Sequence, residues 1–160
     1  MGIVRLNHAV LYVRNAGRSA AFSEDVLDFR TVTSFAGGAF LQAPGSTNDH
    51  DIAFFTIGAE AGPSAAGRST VGLYHLAWEV PTLADLAELS DRLREAGALV
   101  GASDHGTTKS LYAHDPDGLE FEVCWVVPAE QLDPAAKIGT RPLDLTAEID
   151  RFGPATVGGR

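Results

Sequence analysis

The sequence predicts an α+β fold: two paired βαβββ modules forming one curved, cupped mixed sheet with the helices outside. Three observations predict it. The strand-like run "LNHAVLYV" at 6–13 recurs as "LYHLAWEV" at 73–80, with Leu6, His8 and Val13 matched by Leu73, His75 and Val80. Each copy leads into a helical pattern and then three further strand-like runs. The 67-residue spacing of the histidines also carries Phe54 onto Phe121, so the halves are expected to align without a net gap. Each unit is too small to bury a sheet alone, which is the physical reason for expecting the pair.

The elements follow in order. After the strand at 6–13, Asn15 is placed to cap a helix from about Ala16 to Asp28. The runs "RTVTSF", "GAFLQA" and "HDIAFFTI" then read as three strands, closing a first repeat at about 5–57. Residues 58–70 are small, rich in Gly and Pro and unpatterned, and read as a connector. The second repeat, about 71–127, opens with the strand at 72–80. Its helix is capped by Thr82, carries an apolar stripe of Leu83, Leu86, Ala87 and Leu93, and ends at Gly97. Strands are expected near 98–103, 109–114 and 119–127. Residues 1–127 thus read as a single domain. From Pro128 to residue 160 the patterning is weak, and a tail packing across the body or a neighbouring subunit is expected.

Composition sets outer limits. A chain of 160 residues, 45% hydrophobic, is enough for one sizeable core. A formal charge of −9 and a pI near 4.8 disfavour nucleic acid and anionic membrane as partners, since both demand a basic face. The single cysteine, Cys124, rules out an internal disulfide, and no stretch approaches the length of a membrane span. With no apolar leader pattern after Met1, a cytoplasmic location is the expectation.

A histidine alone in an apolar strand is ordinarily a satisfied core or rim residue. Here the histidine recurs with its strand. Period-two alternation puts Leu6, His8, Val10 and Tyr12 on one face, and Leu73, His75 and Ala77 on the matching face of the second copy. In "DPDGLEFEVCW", Asp115 to Gly118 form a turn by their own chemistry, and Glu120 and Glu122 follow on one strand face. A buried unpaired carboxylate costs several kcal/mol, so each glutamate needs a cation, an exposed edge or a proton. Solvent is the plain expectation for Glu120, beside the turn.

These residues resemble the vicinal oxygen chelate superfamily, which includes glyoxalase I, antibiotic-resistance proteins and extradiol ring-cleaving dioxygenases. The resemblance covers residues 5–127. By motif position it implies a metal held by His8, His75 and Glu122. The 67-residue offset places Phe55 opposite Glu122, and Phe cannot ligate, so the four-ligand set of glyoxalase-type sites is one short. Two imidazoles and one carboxylate form a facial triad that leaves positions open and suits Fe(II), with Mn(II) an alternative.

Further likeness to catechol-type extradiol dioxygenases lies in "HDIAFF" and "DHGTTKSLYAHDPDG". It implies an acid–base role for His50 beside the O₂ position, and contacts from His105 and Tyr112 to the bound diol. Taken singly, the three are a strand-entry cap, a loop histidine and a packed aromatic. His114 has no implied role, and a solvated strand end is expected for it. The expected substrates are therefore a small aromatic ortho-diphenol and O₂. With only one pair of modules the chain resembles the one-domain type, and a homodimer would cover its open sheet edge. A glyoxalase-type isomerase or lyase and a drug-binding resistance protein are the alternatives.

Overall fold

The computed structural model describes residues 2–67, 69–132 and 139–159. The chain divides into two compact units: residues 1–64 with 115–118, and residues 65–114 with 119–160. Each contains a βαβββ series and one mixed sheet, so the α+β class and the doubled order of elements are both present.

In the first unit, β1 (Ala9–Val13) leads to α1 (Ala16–Leu27), then β2 (Arg30–Phe35), β3 (Gly38–Gln42) and β4 (Ile52–Thr56). The sheet order is β1-β4-β3-β2, with β1 parallel to β4 and the other pairs antiparallel. Asn15 caps α1 by accepting from the Arg18 N–H at 2.9 Å. Asp28, at a φ of 58°, turns the chain out of the helix, and the Phe29 N–H closes the end on the Ser23 carbonyl. Ala16, Ala20 and Val26 are buried on one face of α1, with Leu41, Ile52 and Phe54 of the sheet also in the core.

The second unit runs β5 (Leu76–Glu79), α2 (Leu83–Glu95), β6 (Leu99–Asp104), β7 (Thr108–His114) and β8 (Glu120–Val126). Its sheet order is β5-β8-β7-β6-β9, the last strand coming from the tail. Thr82 and Asp85 form a reciprocal capping box at the start of α2. Leu83, Leu86 and Leu93 are fully buried, as the apolar stripe requires, while Ala87 is only half-buried. Gly97 takes the left-handed conformation that stops the helix, at a φ of 66°.

The tail contains structure that sequence pattern did not reveal. A 3-10 turn covers Ala129–Gln131, β9 (Arg141–Pro142) pairs with β6, and α3 (Leu145–Phe152) is capped by Asp144. The tail does pack on the body, within the second unit. The Trp125 and Phe152 rings are 5.3 Å apart, and the Ala84 N–H reaches the Pro154 carbonyl. Among the described residues no helix is long and apolar enough to cross a membrane.

The register within each sheet corrects the simple repeat arithmetic. Ala9 pairs with Ile52, 43 residues on, whereas Leu76 pairs with Phe121, 45 residues on. The second unit therefore carries two extra residues before β8. Val10 pairs with Ala53 and Ala77 with Glu122, so the counterpart of Glu122 is Ala53, and Phe55 corresponds to Cys124. Alanine ligates no more than phenylalanine does, so the first repeat still offers no second carboxylate at that place.

Candidate active site

In the first unit, β1 begins one residue after His8, so this side chain stands at the strand entrance rather than inside the strand. It is exposed, with its Nδ1 2.7 Å from Asn7 Oδ1. Val10 and Tyr12, on the same face, are also exposed, while Val13 on the opposite face is buried. Alternation thus separates an open face bearing His8 from a face packed against α1. The His50 ring lies 4.4 Å from the His8 ring, and Phe40 meets His50 edge-on at 5.1 Å. Phe55 joins this aromatic group 5.9 Å from Phe40. His50 itself enters β4 through a tight loop pinned by Asp51, which accepts from Ala43 N–H, Ser46 hydroxyl and the Asn48 amide. Burial pushes the Asp51 carboxyl up, but those hydrogen bonds outweigh it and hold the carboxyl below the usual range.

The turn of the "DPDG" motif has a second use. Gly118 takes a φ of 83° and its N–H bonds the Asp115 carbonyl. Asp117 accepts from the Arg14 N–H at 2.6 Å and pairs with the Arg14 and Arg18 guanidinium groups. Its carboxyl is raised by burial but lowered, on balance, by Arg14 and Arg18.

In the second unit, His75 likewise stands one residue before its strand. Its Nε2 is 3.0 Å from Glu122 Oε2. The Tyr112 ring is 5.8 Å from the His75 ring, and Tyr112 Oη is 2.8 Å from His105 Nε2. Four of the six residues singled out from the sequence are therefore gathered in this unit, and the other two, His8 and His50, lie together in the first. Burial first, then the charge of Glu122, raises the Tyr112 phenol above its ordinary pKa, so it stays protonated and able to donate.

Glu120 departs from expectation. Rather than facing solvent, its Oε1 is buried and, among the described residues, has no hydrogen-bond partner; it lies 3.7 Å from His75 Nδ1, which also has none among them. His114 remains exposed at the strand end, 3.8 Å from the other oxygen of Glu120. Period two places Glu120 on the face of Glu122, so the signal was in the sequence, but proximity to the turn hid it.

Among the described residues, neither unit by itself gathers three His, Cys, Asp or Glu side chains as a metal site. The pair in the second unit nevertheless suits a divalent first-row metal. Two donors about 2.1 Å from one cation and at a right angle stand about 3.0 Å apart, which is the separation of His75 Nε2 and Glu122 Oε2. Imidazole with carboxylate is the donor set such ions prefer. Cys124 is not available as a thiolate near neutral pH, because burial and the charges of Glu122 and Glu79 push its thiol up to about 11.

The chain is 32% identical to catechol-2,3-dioxygenase of Bacillus subtilis over 121 residues, 74% of this chain and 40% of the relative. It is 34% identical to biphenyl-2,3-diol 1,2-dioxygenase 3 of Rhodococcus globerulus over 125 residues, 74% of this chain and 62% of the relative. The chain thus spans about 40 to 62% of the length of these relatives. Among solved structures, a glyoxylase/bleomycin resistance protein/dioxygenase domain from Frankia sp. EAN1pec superposes with a TM-score of 0.65 at 21% identity, over 82% of this chain and 98% of that one. The fosfomycin resistance protein FosX of Mesorhizobium loti superposes with a TM-score of 0.59 at 22% identity, over 82% and 100%. At such identities the likeness is one of fold. The model of the Glyoxalase/Bleomycin resistance protein/Dioxygenase superfamily matches residues 5–123, most of the chain, and the protein belongs to that superfamily.

Proposed function

We propose that this protein is an extradiol ring-cleaving dioxygenase acting on a catechol-type ortho-diphenol with O₂. The observation that carries the reading is the second-unit cluster: His75 Nε2 and Glu122 Oε2 3.0 Å apart, with Tyr112 and His105 joined beside them at 2.8 Å. His75 and Glu122, with His8 assigned by its motif in the other unit, would hold Fe(II) or Mn(II). When bound, the metal would polarise both diol oxygens and bring O₂ beside the ring.

The side chains would supply the rest. Protonated Tyr112 donates to a diol oxygen, which favours the deprotonated substrate. His105 holds Tyr112 in that orientation. His50 takes up a substrate proton and later returns it to the oxygen that develops charge as the ring opens. Histidine can do both near neutral pH. Phe40 and Phe55 give the first unit an aromatic wall beside His50, suited to a flat apolar ring. Both atoms of O₂ end in the ring-opened semialdehyde acid.

Curated relatives that cleave diols support this substrate class, though they are longer proteins. The test is anaerobic loading with Fe(II), then a panel of substituted catechols in an oxygen electrode. Oxygen uptake matched mole for mole by a ring-opened product is expected. Conversion of a substrate without oxygen uptake would move the protein to the isomerase and lyase side of the superfamily.

A further inference from the structure

The tail from Gly139 onward is fastened at both ends of the turn that carries His105. On one side, β9 pairs with β6 so that Arg141 lies opposite Asp104. The Arg141 guanidinium reaches Asp104 Oδ2 at 2.9 Å. On the other side, Lys109 is 1% exposed and its Nζ lies 2.6 Å from Asp104 Oδ1 and 2.9 Å from Glu148 Oε2 of α3. Asp104 also accepts from the Gly106 N–H, and His105 N–H from within the same turn bonds the Thr108 carbonyl. The two carboxylates offset the cost of burying the Lys109 charge, and the pairing ties β6 and β7 to α3. What it fixes is the loop holding His105, against a segment that brings Thr140 Oγ1 to 3.4 Å from His105 Nδ1.

We propose that Thr140 is a positioning residue that sets the tautomer of His105. This rests on the dioxygenase reading for its purpose, though not for its geometry. His105 lies between two hydroxyls, Thr140 at Nδ1 and Tyr112 at Nε2. Two proton arrangements satisfy these distances. If Nδ1 carries the hydrogen, Tyr112 must donate to Nε2 and presents only a lone pair to whatever binds beside it. An electron-rich diol oxygen would be repelled. If Thr140 donates to Nδ1, Nε2 carries the hydrogen and donates to Tyr112 Oη, which frees the phenolic hydrogen for the substrate oxygen. Thr140 has no other described partner for its hydroxyl, and the clamps through Arg141 and Lys109 keep it within reach.

The test uses the full chain and three variants. Nitrogen-15 chemical shifts of His105 in the metal-free protein report its tautomer whether or not the protein cleaves catechols. Thr140→Val removes the hydroxyl while keeping the shape, and should move His105 toward the Nδ1–H form. In the iron-loaded protein kcat/KM should fall by roughly 10-fold, the lower end of what outer residues at such sites contribute. Thr140→Ser should restore both. In a His105→Ala background, Thr140→Val should add nothing further. An unchanged tautomer in Thr140→Val overturns the proposal, as does a rate loss that Thr140→Ser fails to restore. A shifted tautomer in a protein with no ring-cleaving activity would sustain the role of Thr140 and overturn the assigned reaction instead.

Discussion

The two units share an order of elements and differ in what they place on the face opposite their helices. Across the first sheet, Val10, Ala53 and Phe40 stand in register on β1, β4 and β3; across the second, the same row is Ala77, Glu122 and Tyr112. Two residues earlier, Asp51 and Glu120 correspond. Asp51 spends its oxygens on three donors of its own loop, while Glu120 keeps a buried oxygen without a hydrogen-bond partner. At this position the carboxylate of the first unit is structural, while that of the second keeps one oxygen uncommitted. A buried polar atom left unpaired costs about 1–3 kcal/mol, so this oxygen is free to accept from a water or a bound cation. Both units retain a histidine at the strand entrance, His8 and His75, so the duplicated feature is the histidine and the divergent one is the carboxylate.

The largest effect expected from breaking that difference is in Glu122→Ala, which removes the acid that the first unit lacks. Metal content measured after dialysis should drop to background, and oxygen uptake with it, while far-ultraviolet circular dichroism stays unchanged. Full metal occupancy in this variant would sink the assignment of Glu122. His50→Phe comes next. Loss of a general acid–base group typically slows a reaction by about 10² to 10⁴. Iron content and anaerobic catechol binding should be retained, with slow cleavage or release of peroxide. Unchanged cleavage at unchanged iron would reduce His50 to a strand-entry residue packed on His8 and Phe40.

Much of this was legible in the sequence because repetition makes weak signals reinforce each other. The caps Asn15 and Thr82, the helix stop at Gly97 and the turn at Asp115 to Gly118 were all readable from local chemistry, since each depends on a backbone conformation only a few residue types favour. The counterpart of Glu122 was misread as Phe55 because a fixed offset cannot see two residues inserted before β8; only strand pairing reveals Ala53. Helix α3 was missed because an eight-residue element behind several prolines has little periodicity to detect. Its position depends on Lys109 and Trp125, partners distant in sequence. Glu120 is a different case: period two puts it on the face of Glu122, but how far that face is covered is set by the neighbouring strands. Part of the tail, 133–138, lies outside the described residues.

A third test compares the buried ion pairs of the two units. Asp104→Ala leaves Lys109, fully buried, with Glu148 as its remaining carboxylate, and should cost about 3 kcal/mol in urea unfolding, the low end for breaking a buried pair. Acid should act on the same group. Burial pushes the Asp104 carboxyl up, yet Lys109, the Gly106 N–H and Arg141 outweigh it and bring it from 3.8 to about 2. A depressed carboxyl stabilises the fold fully above its unfolded value and loses that stabilisation as pH falls through the folded one. The loss should therefore fall between about pH 4 and pH 2 and amount to about 2 kcal/mol. Asp117, lowered in the first unit, acts in the same direction. Asp104→Asn should flatten the acid limb of the stability curve, and an unchanged limb would show that the Lys109 pair contributes nothing.

The smallest effect separates the units at their helix caps. Asn15 and Thr82 are equivalent positions, but Asn15 only accepts from the Arg18 N–H, whereas Thr82 accepts from Asp85 N–H and receives the Asp85 carboxylate on its own N–H. Removing an N-cap typically costs about 1 kcal/mol, and up to about 2 in a well-formed one. Thr82→Ala frees the Asp85 N–H and also loosens the carboxylate that returns to the cap, so both halves of the box weaken together. Asn15→Ala should sit near about 1 kcal/mol and Thr82→Ala closer to about 2. Urea midpoints for the two variants, taken at constant slope, give the comparison. An equal or larger loss for Asn15→Ala would show that the Asp85 contact adds no net stability to the start of α2.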